Sequence, residues 1–172
     1  MNLENIDVEI LSEKFDVSSF SCGEKDIDEF IHAEAMIFQN ERLGVTYLFF
    51  YEKQLIGFVT LSMADLWKRK MDENDKLPIG RENYPALQIS QLAVCKNLQG
   101  NYGIGTYICD FCHAQSLKHS EQMGCSFLVL NAMQNAIGFY EKFGFKLLPK
   151  QEGRREPIMF LNIMNKTAVD NI

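Results

Sequence analysis

Two motifs that indicate chemistry overlap within residues 95–113. The first consists of three glycines between a predicted strand and a predicted helix, at Gly100, Gly103 and Gly105. The second is Cys-Asp-Phe-Cys-His at 109–113, which matches the C-x-x-C-H signature of covalent haem attachment. The glycines predict a phosphate-binding turn and the second motif predicts a haem site, and each requires its own structural context.

The glycine segment meets the physical requirements of a pyrophosphate site. Glycine adopts positive φ angles without strain and lets a bulky anion approach the backbone. The first amides of the following helix have no acceptor inside that helix, so they point toward such an anion. A P-loop is excluded because Lys-Ser/Thr does not follow Gly105, and no dinucleotide-type βαβ unit opens the chain. A plain connecting turn stays the alternative interpretation.

The sequence around the C-x-x-C-H motif lacks the features that haem attachment requires. Haem attachment requires Cys109, Cys112 and His113 to be exposed in a protein exported to an oxidising compartment. The first residues, MNLENIDVEILSEKF, carry charges where a signal peptide has an apolar region. Helical spacing of the apolar residues predicts that Cys112 faces the core and that Cys109 lies on a flank. We therefore expect a cytoplasmic protein with neither haem nor metal.

The elements that position the glycine segment alternate between strand and helix. Polarity patterns predict a strand at 6–10, a helix ending at Gly44, a hairpin at 45–63, an irregular excursion at 64–85, a strand at 86–96, a helix at 103–122, a strand at 125–132, a helix at 135–143, and strands at 145–148 and 157–163. This order predicts a single α/β domain over residues 1–172 with a mixed sheet. Long loops in compact domains are usually functional, so the excursion is a candidate substrate cover.

Composition narrows the class of protein further. The 172 residues and the 47% apolar content suit one globular domain. No segment approaches the roughly 20 apolar residues that a membrane span needs. The formal net charge of −6 arises in the part up to Leu43, which has 11 acidic and 3 basic residues. This acidic excess disfavours nonspecific nucleic-acid binding. It does not exclude a local basic surface, for which the Trp-Lys-Arg-Lys run at 67–70 is a candidate.

Two segments resemble a known family. The segment LQISQLAVCKNLQGNYGIGTYICDFC resembles motif A of the GNAT N-acetyltransferases, and NAIGFYEKFGF resembles their motif B at the matching spacing. The segments FSCGEKDIDEFI, IGFVTLS and YPALQISQLAV are similar to the branch that contains acetyltransferase toxins of bacterial toxin-antitoxin pairs. The resemblance implies a central mixed, splayed β-sheet flanked by helices, with acetyl-CoA as co-substrate.

The resemblance also implies roles for particular residues. Backbone amides of the splayed strand would stabilise the tetrahedral oxyanion, here at Leu92, Ala93 and Val94. Tyr140 would act as the general acid that protonates the departing thiolate. The pyrophosphate loop would comprise Gly100, Asn101, Tyr102, Gly103, Ile104, Gly105 and Thr106. Further coenzyme contacts are expected, with a looser correspondence, at Asn131, Ala136, Phe139 and Lys142.

The sequence departs from the family pattern at two places. Gly100 stands where the family has Arg or Gln, and Gln99 comes one residue early, as though Asn101-Tyr102 contained an insertion. Met133 occupies the position, seven residues before the tyrosine, that is Asn in many relatives. Either one of four residues acts as the general base, and the sequence does not single one out, or the amine arrives already deprotonated. The candidates are Glu34, Glu41, Asp65 and Gln91.

Three functions are compatible with these observations. The first is an acetyl-CoA-dependent N-acetyltransferase acting on a primary amine. The second is a toxin that acetylates the amino group of aminoacyl-tRNA, with an antitoxin as protein partner. It requires a basic surface, for which the candidates are Lys68, Arg69, Lys70, Arg81, Arg154 and Arg155. The third is a non-catalytic GNAT-like module that binds coenzyme A or a protein. No membrane partner is expected, and a homodimer is compatible with the sequence.

Overall fold

The computed structural model describes residues 1–165, in which seven strands form one mixed sheet in the order β1-β2-β3-β4-β5-β7-β6. The strands are β1 (Ile6–Ile10), β2 (Val45–Tyr51), β3 (Gln54–Trp67), β4 (Asn83–Val94), β5 (Phe127–Asn131), β6 (Lys146–Leu147) and β7 (Ile158–Asn162). The α-helices are α1 (Lys25–Glu29), α2 (Ala35–Asn40), α3 (Ile104–Gln122) and α4 (Ile137–Phe143). The predicted order of strands and helices and the predicted mixed α/β class are confirmed.

The chain divides into two compact units, which are described separately. The first comprises Met1–Ser62 and Ile89–Phe111, and the second comprises Met63–Gln88 and the chain from Cys112 onward. The extent of one domain over residues 1–172 stays a prediction. Among the described residues, no helix is long and apolar enough to cross a bilayer.

The first unit is built on an antiparallel edge. Strand β1 pairs with β2 from Ile6 opposite Tyr51 to Ile10 opposite Tyr47, and β2 pairs with β3 in a hairpin. The hairpin turn is two residues long, and its positive φ angles of 48° and 67° match the right-handed twist of the strands. A buried apolar cluster fixes α1 and α2 on this sheet; it includes Leu11, Phe20, Phe30, Ile31, Leu48 and Phe58.

The predicted helix end at Gly44 is wrong. A π-helical turn at Phe30–Glu34 separates α1 from α2, and α2 ends at Asn40, before Arg42 adopts a φ of 60°. Gly44 instead permits close packing, because a Cβ there would lie 2.7 Å from the carbonyl oxygen of Leu61 and 2.7 Å from the Phe38 ring.

The second unit contains the antiparallel strands β5, β7 and β6 together with α4. Phe127 lies opposite Asn162 and Asn131 lies opposite Ile158. Helix α4 ends at Phe143, and the amide of the capping residue Gly144 donates to the carbonyl oxygens of Tyr140 and Glu141. The φ of 112° at Gly144 turns the chain so that the amide of Phe145 donates to the carbonyl oxygen of Tyr140 as well. Such a left-handed cap stops a helix sharply. It therefore sets the point at which α4 gives way to β6.

The irregular excursion is shorter than predicted. Strand β3 continues to Trp67 and β4 already begins at Asn83, so only residues 68–82 lie outside the strands. Exposure alternates from Met63 through the buried Leu66 to Trp67, which is the periodicity of a half-buried strand. The polar residues in this stretch hid that periodicity. The remaining segment contains two 3₁₀ turns, at Lys68–Lys70 and Glu73–Asp75.

The thiols of the C-x-x-C-H segment lie in the interior. Cys112 faces inward as predicted, but Cys109 is also fully buried, so its predicted flank position is wrong. Covalent haem attachment requires exposed thiols, and this burial is incompatible with it. Within residues 1–165, no group of three or more His, Cys, Asp or Glu side chains could hold a metal ion.

Candidate active site

The end of β4 and the glycine segment lie together in the first unit. Ala93 is buried, while Leu92 and Val94 are half-buried. The amide of Cys95 donates to the carbonyl oxygen of Ile56 at 2.9 Å, which ties the strand end to β3. A 3₁₀ turn at Lys96–Leu98 follows, and α3 begins at Ile104. The segment between them is therefore a short connection whose two ends are both fixed.

The backbone of this connection is left-handed at three positions, with φ angles of 72° at Gly100, 60° at Tyr102 and 70° at Gly103. No heavy atom lies within 4 Å of the place that a Cβ would take at Gly100. Left-handed backbone costs a non-glycine residue about 1 kcal/mol. Tyr102 is therefore a strained position of this loop, and its side chain is 57% exposed.

The loop opens directly onto the start of α3. The amide of Tyr107 donates to the carbonyl oxygen of Gly103 at 3.0 Å and makes the first bond of the helix. The amides of Ile104, Gly105 and Thr106 precede that bond, so they have no acceptor within the helix. Together with the positive end of the helix dipole, they form a surface that attracts an anion. This arrangement would suit a pyrophosphate.

The side chain of Gln99 makes hydrogen bonds within the protein. Its Nε2 donates to the carbonyl oxygen of Cys22 at 2.8 Å and to that of Val94 at 3.0 Å. Both protons of the amide nitrogen are therefore used inside the protein. Asn101 adds a bond from Nδ2 to the carbonyl oxygen of Gln99 at 3.2 Å. Gln99 thus holds the loop against the end of β4.

A turn at 21–23 supplies the other side of this support. The carbonyl oxygen of Ser21 accepts from the amide of Lys96 at 2.9 Å. Asp28 fixes the turn, since its Oδ1 accepts from the amide of Cys22 and its Oδ2 from the Ser21 hydroxyl, each at 2.7 Å. Asp28 on α1 therefore supports the glycine loop indirectly, because it fixes the turn whose two carbonyl oxygens accept hydrogen bonds from Lys96 and Gln99. No sequence motif had assigned Asp28 a role.

The electrostatics of this support follow from its hydrogen bonds. Burial raises the pKa of Asp28, but the hydrogen bonds from Cys22 and Ser21 outweigh it, and the net pKa lies below the ordinary value of 3.8. Burial, reinforced by the neighbouring Asp28 carboxylate, raises the pKa of the Cys22 thiol to about 11. Cys22 is therefore a neutral, unreactive thiol at physiological pH.

The position of the end of β4 also depends on the absence of a side chain at Gly57 on β3. A Cβ at Gly57 would lie 2.8 Å from the carbonyl oxygen of Ala93 and 2.8 Å from Cδ1 of Ile108. Real Cβ atoms do not approach a carbonyl oxygen that closely. The absence of a side chain at Gly57 therefore lets β3 lie directly against the end of β4 and the first turns of α3.

The second unit holds the remaining predicted site residues. Tyr140 lies on α4, is 8% exposed, and packs edge-on against Phe139 and Phe145 with ring centroids 5.0 and 5.6 Å away. Ala136 closes the 3₁₀ turn before α4 and is half-buried. Asn131, at the end of β5, and Lys142, on α4, are exposed. The two aromatic neighbours limit the motion of the phenol ring.

The candidates for a general base are not distinguished by their surroundings. Glu34, Glu41 and Asp65 are exposed, and Gln91 is half-buried in β4. Within residues 1–165, none of these four side chains makes a hydrogen bond or an ion pair that would orient it. The base is therefore left unassigned.

Comparisons with known proteins identify the family of the chain. Residues 43–147 match the family model of the acetyltransferase (GNAT) domain. The chain is 22% identical over 144 residues to a tRNA-acetylating toxin of Mycobacterium tuberculosis, covering 81% of this chain and 83% of the relative.

Solved structures show the same fold. AtaT complexed with acetyl-methionyl-tRNAfMet has a TM-score of 0.81 at 22% identity, over 92% of this chain and 95% of that one. A tyrosine-to-phenylalanine variant of AtaT, bound to the C-terminus of the antitoxin AtaR and acetyl-CoA, has a TM-score of 0.74 at 22% identity, over 92% and 94% of the two chains.

The packing at Gly57 predicts the effect of adding one methyl group. Gly57→Ala should lower the free energy of unfolding by about 1–3 kcal/mol, because the carbonyl oxygen of Ala93 belongs to the backbone and cannot rotate away. Its acetyl-CoA affinity should fall as well. Gly80→Ala is the matched control, since nothing lies within 4 Å of its Cβ position. Urea titration and calorimetry measure both quantities, and equal behaviour of the two variants would contradict the packing argument.

The hydrogen bonds of Asp28 predict a pH-dependent contribution to stability. Because the pKa in the folded protein lies below 3.8, the ionised carboxylate stabilises the fold above that pH, and the contribution is lost as the pH falls through the folded value. Asp28→Asn should lower the free energy of unfolding by about 1–2 kcal/mol at pH 7. The difference from the parent protein should shrink well below pH 3.8.

Asp26→Asn is the matched control for this prediction, because Asp26 is exposed on the same helix. Urea titrations of the three proteins between pH 3 and 7 provide the measurement. A stability difference for Asp28→Asn that persists unchanged at low pH would show that the carboxylate charge is not its source.

Proposed function

The chain belongs to the GNAT acetyltransferase family, and we propose that it transfers the acetyl group of acetyl-CoA to the α-amino group of an aminoacyl-tRNA. The observation that carries the proposal is the open, left-handed loop before α3, which leaves the amides of Ile104, Gly105 and Thr106 for a pyrophosphate. The support for this acceptor comes from the similar tRNA-acetylating toxin and from the AtaT complex with acetyl-methionyl-tRNA.

The coenzyme defines the chemistry that the protein must assist. The amine nitrogen attacks the thioester carbonyl carbon, and a tetrahedral intermediate with an oxyanion forms. The carbon–sulfur bond then breaks, and sulfur leaves with the bonding pair as a thiolate. The amine loses one proton and the thiolate gains one, so the products are an amide and free coenzyme A. An enzyme accelerates this sequence by stabilising the oxyanion and by supplying the proton.

We assign these tasks as the family resemblance implies. The amides of Leu92, Ala93 and Val94 face the oxyanion, and Tyr140 protonates the thiolate. A phenol suits the task because its ordinary pKa of about 10 keeps it protonated at neutral pH and still lies close enough to the thiol pKa of about 8.5 for the proton to be transferred. The pyrophosphate contacts the loop from Gly100 to Thr106. The rest of the coenzyme contacts Asn131, Ala136, Phe139 and Lys142.

The proposed acceptor removes the need for a dedicated base. An α-amino group has a pKa of about 7.7–8.0, so roughly a third of it is neutral at pH 7.5, whereas only about one lysine side chain in a thousand is neutral there. A neutral amine is already a nucleophile. The unoriented carboxylates among the base candidates are consistent with an α-amine and would serve a lysine acceptor poorly.

The proposal includes a protein partner. A tRNA-acetylating enzyme would arrest translation, so a cell that encodes it needs a means of neutralising it. AtaT is similar in fold and was solved with an antitoxin bound. We propose that this chain likewise acts as the toxin of a toxin-antitoxin pair, and that its antitoxin is a protein. The family match disfavours the non-catalytic module.

The proposed acid predicts a specific loss of turnover. Tyr140→Phe should lower kcat about 10²-fold or more, because the thiolate then leaves without a proton donor, while the acetyl-CoA Kd stays within about twofold. Tyr51→Phe removes a hydroxyl from β2, outside the proposed site, and should retain full turnover. Thiol release and calorimetry separate the two effects. Full turnover by the Tyr140 variant would remove the acid assignment.

The proposed acceptor predicts a ranking of substrates and a pH profile. Thiol release with acetyl-CoA should be fast with an aminoacyl-tRNA and negligible with deacylated tRNA or with Nα-acetyl-lysine, whose one amine is the side-chain ε-amino group. The kcat/KM for the aminoacyl-tRNA should rise with pH through the α-amine pKa of about 7.7–8.0 and level off near pH 9, where the α-amine is almost fully neutral. A faster reaction with Nα-acetyl-lysine, or a rise that continues beyond pH 10, would contradict the α-amine as acceptor.

A further inference from the structure

An open groove in the second unit is lined mainly by cations. Its volume is about 350 Å³, and one wall is formed by Arg69–Asp72 and the other by Leu148–Gln151. The basic residues that line it are Arg69, Lys70, Lys150 and Arg154. Asp72 is the one carboxylate among the described residues of the lining. A chain with a net charge of −6 therefore concentrates positive charge in one depression of its surface.

The charges of this groove are not neutralised by the protein. Ion pairs within residues 1–165 join Lys14 with Glu9, Lys76 with Glu73, and Lys146 with Asp75, and none involves a cation of the groove. Cations gathered without counter-charges repel one another, so their proximity costs stability. An anionic ligand bound in the groove would offset this repulsion.

Both walls of the groove are held rigidly. Met71 and Leu148 are buried at the base of the two walls and belong to the same apolar cluster as Tyr84 and Phe160. The groove therefore has a fixed floor, and its cations project from anchored backbone.

Gln151 organises the second wall through its side-chain amide. Its Nε2 donates to the carbonyl oxygens of Leu148 at 3.0 Å and Ile158 at 2.7 Å, and its Oε1 accepts from the amide of Ile158 at 2.8 Å. The same Oε1 accepts from Nη1 of Arg154 at 3.2 Å. The guanidinium of Arg154 is thereby oriented while its charge stays uncompensated.

An aromatic ring lies beside the first wall: Trp67 does not line the groove itself, but it contacts Arg69, which does. The guanidinium of Arg69 lies 4.5 Å from the centroid of the Trp67 ring, and the indole is 41% exposed. Lys68 is not part of this wall, and its Nζ donates to the carbonyl oxygen of Ile79 at 3.0 Å. An exposed ring beside cations is the combination that binds single-stranded nucleic acids, because bases stack while phosphates pair with the charges. An acidic peptide would pair with the cations of the groove but would not need a stacking contact with the indole of Trp67.

We propose that this groove binds the sugar-phosphate backbone of RNA and so holds the tRNA acceptor, with Arg69, Lys70, Lys150 and Arg154 contacting phosphates and Trp67 offering a stacking surface. The proposal rests on the proposed function for the identity of the RNA. It corrects the sequence-based candidate set in two ways. Lys150 joins the set, and Lys68, Arg81 and Arg155 do not line the groove.

Binding of deacylated tRNA, measured by fluorescence anisotropy, tests the groove apart from catalysis. The double variant Arg69→Gln/Arg154→Gln should bind tRNA at least tenfold more weakly than the parent protein. Because two phosphate contacts are lost, the slope of log K against log salt should become shallower by about 1.4–1.8. A second pair, Lys70→Gln/Lys150→Gln, should show the same loss. The acetyl-CoA Kd of each variant verifies that it is folded.

Lys25→Gln/Lys118→Gln is the matched control, because it removes the same charge from exposed positions outside the groove. It should retain tRNA affinity within about twofold. Equal tRNA binding by the parent and both groove variants would overturn the proposal, and so would a loss in the control as large as in the groove variants. Groove-dependent binding of polyglutamate in preference to tRNA would overturn it in favour of an acidic protein partner.

Failure of the groove and failure of the proposed function give different results. If the parent protein acetylates aminoacyl-tRNA and the groove variants bind tRNA normally, the function stands and the groove is wrong. If the parent binds tRNA through the groove and releases no thiol with aminoacyl-tRNA, the groove stands and the proposed acceptor is wrong.

Discussion

The position of the last residues of β4 depends on hydrogen bonds from a single side-chain amide. Gln99 joins the carbonyl oxygen of Val94 to that of Cys22, and Asp28 in turn fixes the turn that carries Cys22. On the opposite side, only a glycine at position 57 lets β3 approach the carbonyl oxygen of Ala93. The strand end that is proposed to face the oxyanion is therefore held from two sides. Such preorganisation is what electrostatic catalysis requires, because donors that must first move into place stabilise less charge.

Two oppositely charged regions coexist in one small protein. The acidic residues concentrate in the first 43 positions, whereas the basic groove lies on the second unit. At physiological ionic strength a surface charge is screened within about 8 Å, so a local cluster governs binding more than the net charge does. The low pI therefore disfavours nonspecific nucleic-acid binding over the whole surface, but it is compatible with one specific anionic ligand. The net charge alone would have argued against RNA.

Local patterns predicted the elements well and long-range contacts poorly. The strand and helix order, the hairpin, and the loop before α3 all follow from periodicity and glycine placement within short windows. The errors at Gly44, at residues 64–85 and at Cys109 arose where tertiary packing decides the outcome. The role of Gln99 was missed for the same reason, since it bonds to a residue 77 positions away. Ser21 and Asp28 lie seven positions apart within a segment that resembles the family, yet nothing in the local sequence shows that they support a distant loop.

The central claim is that the amides at the start of α3 hold the diphosphate of coenzyme A. Backbone amide chemical shifts of isotopically labelled protein, recorded during titration with coenzyme A, test this claim most directly. The account predicts that the amide signals of Ile104, Gly105 and Thr106 move furthest and saturate together, because a phosphate oxygen becomes their acceptor. Saturable shifts that leave these three amides unchanged would show that the coenzyme binds elsewhere.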